Sequence, residues 1–277
     1  MMDLEQFKVS PRSKVRLADF DPGDTAGIGR KSDGIALLAS NVARLEELQA
    51  RLHAEDRRSL LIVLQGLDTS GKDGTTRAVF TGVNPNGVDV HSFGRPGPED
   101  LDHDYLWRVH RRTPGRGDIG VFNRSQYEDV LIARVEKLVP KATWSRRYRH
   151  INEFERMLVD EGTTIIKCFL HISSDEQMER LESRIETPRK NWKIEPADFE
   201  ARARWRDYIE AYEDVMEKCS TRSAPWWIVP ANRKWVRNAV VSEIVRQTLE
   251  KMDPKYPRVE HDLDEIRRLA AEARRID

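Results

Sequence analysis

From Ile35 to Leu52 apolar residues return every three or four positions (Ile35, Leu38, Val42, Leu45, Leu52), the period of a helix with one buried face. The pattern then changes. Residues 59–65, SLLIVLQ, are a nearly unbroken apolar run that stops at Gly66, as expected of a strand covered on both faces of a parallel sheet. A helix is predicted from Asp73 to Thr81, after which the alternation repeats. VDVHSF (88–93), DIGVF (118–122), TTIIKCFLHI (163–172) and WWIVP (226–230) read as four further strands. Between them, PEDLDHDYLWRVHRR reads as a helix with Pro98 near its start and Leu101, Tyr105 and Val109 on one face. SQYEDVLIARVEKLV predicts another, and a third carries Trp144, Tyr148, Ile151, Phe154 and Leu158 on one stripe. Strands alternating with helices predict an α/β domain: one parallel five-stranded sheet between two helical layers. Residues 1–33, punctuated by Pro11, Pro22, Gly23, Gly27 and Gly29, are expected to form an irregular arm, 34–252 the domain, and 253–277 a helical tail.

The first strand runs into QGLDTSGKDGTTR (65–77), with Gly66, four residues, then Gly71 and Lys72. That spacing is common by chance, but here it follows a buried-strand pattern and opens a helix, the context of a phosphate-binding loop. Gly66, Thr69, Ser70, Gly71, Lys72, Asp73 and Gly74 are the candidate loop residues. Backbone N–H groups at the helix start would face an anion, and Lys72 would add a point charge. The competing reading is a glycine-rich strand-to-helix turn that binds nothing. Two acids need a reason beside a phosphate. Asp68 makes sense as a ligand of Mg²⁺ bridging to phosphate oxygens. Asp73 is explained equally well by the favourable field of a helix first turn, about 0.3–1 kcal/mol.

Composition narrows the partners. Of 277 residues, 39% are hydrophobic, enough for a sizeable core, and 47 basic residues balance 47 acidic ones. A neutral chain is not drawn as a whole to nucleic acid or to an anionic membrane, so neither is an expected partner and a polyanion must be held by a local cluster. Residues 108–149 supply one, with eleven Lys and Arg against four Asp and Glu. Cys168 and Cys219 read as small core residues in a reducing compartment, and no apolar run reaches membrane-spanning length, so the expected setting is cytoplasmic.

In GVFNRSQYEDV the third strand ends where phosphate-loop enzymes usually place a metal-binding Asp. Here it is Asn123, an uncharged metal ligand at most, followed by Arg124, which would stabilise charge in transfer. Glu128 and Asp129 fit either a site role or simple first-turn charge complementarity. A second basic group, Arg184, Arg189, Lys190 and Lys193, lies in RIETPRKNWK, where Pro188 and Asn191 break the helical pattern. A lid closing over phosphates and a solvated loop both fit it. His103 and His110 lack a third zinc ligand and read as surface or packing residues, and Trp226 and Trp227 as core.

Taken together, LHAEDRRSLLIVLQGLDTSGKDGTTR, the stretch from GVNPNGVDVHSFGRPGPED to LIARVEKLVP, RIETPRKNWK and APWWIVPANRKWVRNAV resemble the polyphosphate kinase 2 family, most of all its class III branch, over about residues 20–250. The resemblance implies a thymidylate-kinase-like fold with a helical lid at about 184–218. It also implies Mg²⁺-dependent transfer of phosphate between inorganic polyphosphate and adenine or guanine nucleotides, and a homo-oligomer, dimer or tetramer. By position it makes Asp68 and Asn123 the metal-side residues, Lys72 the loop lysine, Arg124 the arginine beside the transferred phosphate, and Arg184, Lys190 and Lys193 lid residues facing the phosphates. Most members carry Asp at the place of Asn123 and Asn at that of Glu128; the acid at Glu128 is associated with accepting AMP as well as ADP. Asn232 stands where the pattern has Asp. Two other readings survive the residues alone: an ATP-dependent nucleoside monophosphate kinase, and a nucleotide-sensing phosphate-loop protein without turnover.

Overall fold

The computed structural model describes residues 2–274; the last residues of the expected tail, 275–277, lie outside the described residues, as does residue 1 of the arm. Five strands, β1 (Ser59–Gln65), β2 (Val88–Ser92), β3 (Ile119–Asn123), β4 (Thr163–His171) and β5 (Trp226–Pro230), form one sheet in the order β2-β3-β1-β4-β5, and every pairing is parallel. The central strand is buried along its whole length. Its alternate residues feed two cores. Leu60, Ile62 and Leu64 pack with Leu45, Leu48 and Leu52 of α1 (Lys31–Glu55), with Val79 of α2 (Lys72–Phe80) and with Val240 and Ile244, from a helix near the end of the chain. Leu61 and Val63 pack on the other face, against Val109, Ile151, Phe154 and Val215. An apolar run without alternation is what two covered faces require.

The expected helix over 98–112 is instead two short ones, α3 (Pro98–Leu101) and α4 (Trp107–His110). Asp104 breaks it, because its carboxylate accepts from the Leu106 N–H at 2.9 Å and offers the backbone a turn in place of a helix. The expected helix over 125–139 is a single 3₁₀ turn at Gln126–Asp129 and a short α5 (Ile132–Val135). There Ser125 caps the Tyr127 N–H, and the Tyr127 ring is pinned in the core, where its hydroxyl donates to Glu155 at 2.7 Å. α6 (Lys141–Asp160) carries the predicted stripe.

After β4 come α7 (Ser174–Glu186), a 3₁₀ segment at Pro188–Lys193, α8 (Pro196–Ala203) and α9 (Trp205–Cys219). α10 (Lys234–Met252) follows β5 and packs on α1. Before α1 begins at Lys31 the arm contains two 3₁₀ turns and no α-helix, yet it is not loose. Leu4, Phe7, Val9, Val15 and Leu17 are buried, and the Val9 N–H donates to the Trp226 carbonyl at 2.9 Å. α11 (Leu263–Ala273) leaves Leu263, Ile266 and Leu269 exposed. Cys168 and Cys219 are buried and unpaired; His103 stacks on Trp107, and His110 meets Phe154 edge to face. Among the described residues no helix is long and apolar enough to cross a membrane.

Candidate active site

The carboxyl ends of β1 and β3 lie side by side, Leu64 pairing with Asn123, and β4 runs two residues past Phe169, the partner of Gln65. Beyond Gln65 the chain turns sharply into α2. Gly66 has φ 152°, and a Cβ there would sit 2.9 Å from the Leu170 carbonyl oxygen, so the loop can pass under β4 only as glycine. Gly71 has φ 98° and no room beside the Arg237 guanidinium. Within this turn Lys72 is buried, and its Nζ donates to the carbonyls of Gly66 at 2.7 Å and Leu67 at 3.3 Å. Burial pulls its amine below the ordinary 10.5, against the nearby Asp68 carboxylate, which holds it up.

β3 delivers the opposite wall. Arg124 has φ 62°, a conformation costing on the order of 1–2 kcal/mol for a residue with a side chain, and its N–H donates to Leu64 O at 3.0 Å. Its guanidinium meets Asp68, Nη2 to Oδ1 3.0 Å. Asn123 donates its amide N–H to Asp73, whose other oxygen stands 3.7 Å from Lys193 Nζ. Glu128 is half-buried beside Arg124, Lys72 and Gln65; burial pushes its carboxyl above the ordinary 4.5 while the two cations oppose this. Gln65, on Ser125 Oγ at 3.1 Å and the Tyr212 hydroxyl at 3.3 Å, closes the back of this wall.

The four basic residues of 184–193 do not act as one group. Lys193 reaches Asp73, and Lys190 donates to Ser183 Oγ at 3.0 Å. Arg184 is tied within its own segment, to the Lys193 carbonyl at 3.1 Å and Asp198 at 3.8 Å, and Arg189 has no side-chain partner among the described residues. Nor is the basic excess of 108–149 a single track. Arg108 and Arg147 are taken up by Asp129, and Arg134 by Asp214.

Four residues at the loop escaped the sequence reading. Arg180 of α7 donates to the carbonyls of Thr69 at 2.9 Å and Ser70 at 3.3 Å, and to Ala231 and Asn232. Arg237 of α10 is buried and donates to Ser70 O at 3.0 Å; its pKa is lowered to about 9 by burial, with Arg180 adding to this. Gln177 holds the Asp68 carbonyl at 3.2 Å. Lys234 is pulled below its ordinary value by burial and by Arg180, Arg237 and Lys190, so these four cations share one neighbourhood. Only their place after strand ends hinted at a role. Asn232 does not enter the phosphate loop; it accepts from the Ser173 N–H at 2.9 Å and donates to Ser173 Oγ at 3.1 Å, fastening the start of α7.

Among the described residues no three Asp, Glu, His or Cys side chains converge as a ready-made metal cage. The oxygen donors at the loop are Asp68 and the Asn123–Asp73 pair, which suits Mg²⁺: it takes one or two carboxylates and completes its shell with phosphate oxygens and water. Cations lie on both sides of the loop and a basic segment bridges to it, an arrangement with charge enough for more than one phosphate group.

The family model for polyphosphate kinase 2 (PPK2) matches residues 30–257. The AMP/ADP-polyphosphate phosphotransferase of Meiothermus ruber is 50% identical over 264 residues, which span 95% of this chain and 99% of that protein. The ADP-polyphosphate phosphotransferase of Rhodopseudomonas palustris is 42% identical over 265 residues, 91% of this chain and 92% of its own. The crystal structure of polyphosphate kinase 2 from Arthrobacter aurescens TC1 superposes with a TM-score of 0.93 at 43% identity, covering 97% of this chain and 96% of that one. A chain matched along most of its length by family model, relatives and structure alike belongs to the polyphosphate kinase 2 family.

Proposed function

We propose that the protein transfers the terminal phosphate of inorganic polyphosphate to AMP and to ADP, as the name of its Meiothermus ruber relative describes. The observation that carries the reading is the double set of cations at the loop. Lys72 and Arg124 lie on one side, and Arg180, Lys190, Lys234 and Arg237 gather on the other. A mononucleotide alone does not need both.

In this reading a terminal phosphate oxygen of the acceptor attacks the end phosphorus of the polyphosphate chain. The bridging P–O bond breaks, and the donor leaves one phosphate shorter. No enzyme nucleophile is involved, so positioning and charge do the work. Lys72 and the α2 N–H groups hold the phosphate at the loop. Arg124, pre-placed by its strained backbone and by Asp68, neutralises charge on the group in flight. Lys193 closes the basic segment over the loop through Asp73. Mg²⁺, held by Asp68 with Asn123 and Asp73, would supply electrostatic stabilisation of the phosphate oxygens. Glu128 is assigned to the acceptor side and to use of AMP, which with Asn123 makes the chain class III-like. A homo-oligomer is supported by the apolar face of α11, and a soluble cytoplasmic setting by the lack, among the described residues, of any membrane-spanning helix.

The deciding experiment is ATP formation from AMP, and separately from ADP, with long-chain polyphosphate and Mg²⁺ as the only additions. ATP from both is expected. ATP from ADP alone would keep the phosphotransferase and remove the role of Glu128. Product only when ATP and a nucleoside monophosphate are supplied would overturn the polyphosphate donor.

A further inference from the structure

A groove of about 1080 Å³ runs between α6, α9 and the arm, and contains no residue of the phosphate loop or of the basic segment 184–193. Its floor is α6 and the loop leading into β5. That loop precedes β5, whereas the phosphate loop follows β1; the parallel sheet therefore separates the two sites along the strand direction.

The charge in the groove is one-sided. Asp214 already binds Arg134 at 2.6 Å and also pairs with Lys218, while Glu153 pairs with Arg149 at 3.4 Å. Arg12, Lys141, Arg156 and Arg222 line the same groove with no ion pair among the described residues. Four uncompensated cations around one concavity on a chain of zero net charge are a local anion site. A second observation is independent of charge. Tyr148, 5% exposed, lines the groove, and its hydroxyl hydrogen finds no acceptor, because the Arg134 guanidinium beside it can only donate. A buried hydroxyl left unpaired costs about 1–3 kcal/mol, which an acceptor oxygen from a ligand would relieve. The side-chain carbonyl oxygen of Asn152, in the same wall, is also buried without a hydrogen-bond donor.

We infer that this groove is a second, non-catalytic binding site for a condensed phosphate chain, which anchors a long donor while its end is consumed at the phosphate loop. The inference rests on the polyphosphate reading of the loop. A chain of phosphates carries one charge per unit over tens of units, so one molecule can occupy both places. Each turnover shortens the end without releasing the anchored portion, and effective concentration replaces fresh capture. A nucleotide or single phosphate can neutralise only part of the groove, and a nucleic acid is disfavoured because Trp144 is the groove's one tryptophan and is already covered by the Arg134 guanidinium at 5.0 Å.

The test uses Arg156→Ala/Arg222→Ala, two exposed positions away from the loop, and Tyr148→Phe, which deletes only the hydroxyl. Donor kinetics are measured with polyphosphate of about a hundred units and with tripolyphosphate, beside direct binding of the long chain to nucleotide-free protein. KM for the long chain should rise roughly tenfold in the double variant, as for two lost charge contacts, with kcat and tripolyphosphate kinetics within about twofold. Tyr148→Phe should weaken long-chain binding in the same direction while melting no lower than the native protein. Unchanged long-chain KM and binding would overturn the inference, as would an equal loss with tripolyphosphate or tighter binding of an RNA oligonucleotide than of the long chain. If the unsubstituted protein makes no ATP from polyphosphate, the reading of the loop fails; the binding difference still decides the groove.

Discussion

Lys72 is held in place by two carbonyls of its own loop and surrounded by protein, so its charge is positioned before any phosphate arrives. Lys72→Ala should lower turnover by roughly 10²-fold or more, the size of removing one preorganised donor, with a melting temperature close to the native one; retention of a tenth of the rate would refute its role. Glu128 and Lys72 are shifted toward each other by burial. The kcat/KM profile should therefore be narrower than ordinary side chains allow, its acid limb above pH 4.5 and its alkaline limb below pH 10.5. The sign for stability follows from the same shift. A carboxyl whose folded pKa is raised helps the fold below its unfolded pKa and loses that help as pH rises through the folded pKa. Glu128→Gln should thus melt higher than the native protein at pH 7 and lose this advantage near about pH 4. In kinetics it should lose AMP as acceptor while keeping ADP.

Lys167 of β4 and Glu155 of α6 form an ion pair of 2.6 Å with neither side chain more than 2% exposed. Lys167 Nζ also donates to the Tyr127 hydroxyl at 3.0 Å and the Cys219 carbonyl at 2.7 Å, joining sheet, α6, α9 and the turn that follows Arg124. Lys167→Met leaves a buried carboxylate alone and should cost about 3–5 kcal/mol in urea unfolding, whereas adding Glu155→Met should recover most of it. If the single variant is as stable as the double, the pair does not organise the core. On the other side of the site, Lys190→Ala/Lys193→Ala should weaken polyphosphate binding and flatten its salt dependence. An unaltered salt slope would show that the 188–193 segment does not touch the donor.

The arm and the tail both flank the domain but are held differently. Deleting residues 2–16 exposes the pockets of Leu4, Phe7, Val9 and Val15, each worth about 1.5–3 kcal/mol, a sum comparable with the stability of a typical domain. Such a chain should fail to fold or melt far lower. Deleting residues 254–274, where only Pro254 is buried, should leave the melting temperature within a few degrees and report any role of α11 in the oligomeric state by sedimentation.

Local pattern was enough for five strands, the phosphate loop and the long helices, because period and burial are written into consecutive residues: SLLIVLQ can be little else when followed by Gly66 and Lys72. It was also enough for the identity of Asp68, Asn123, Arg124 and Glu128 as residues to watch, since each follows a strand end. It misjudged 98–112 and 125–139, where a side chain competing for the backbone (Asp104, Ser125) outweighed an amphipathic period. The partners of the loop were beyond its reach. Arg180 and Arg237 lie more than a hundred residues from Ser70 and meet it because the sheet order sets β4 beside β1 and β5 beside β4. The division of the basic residues between loop, Asp129 and the distant groove was equally hidden. Charge acts through space, and which cations share a space depends on how strands are ordered and helices packed, a property of no segment taken alone.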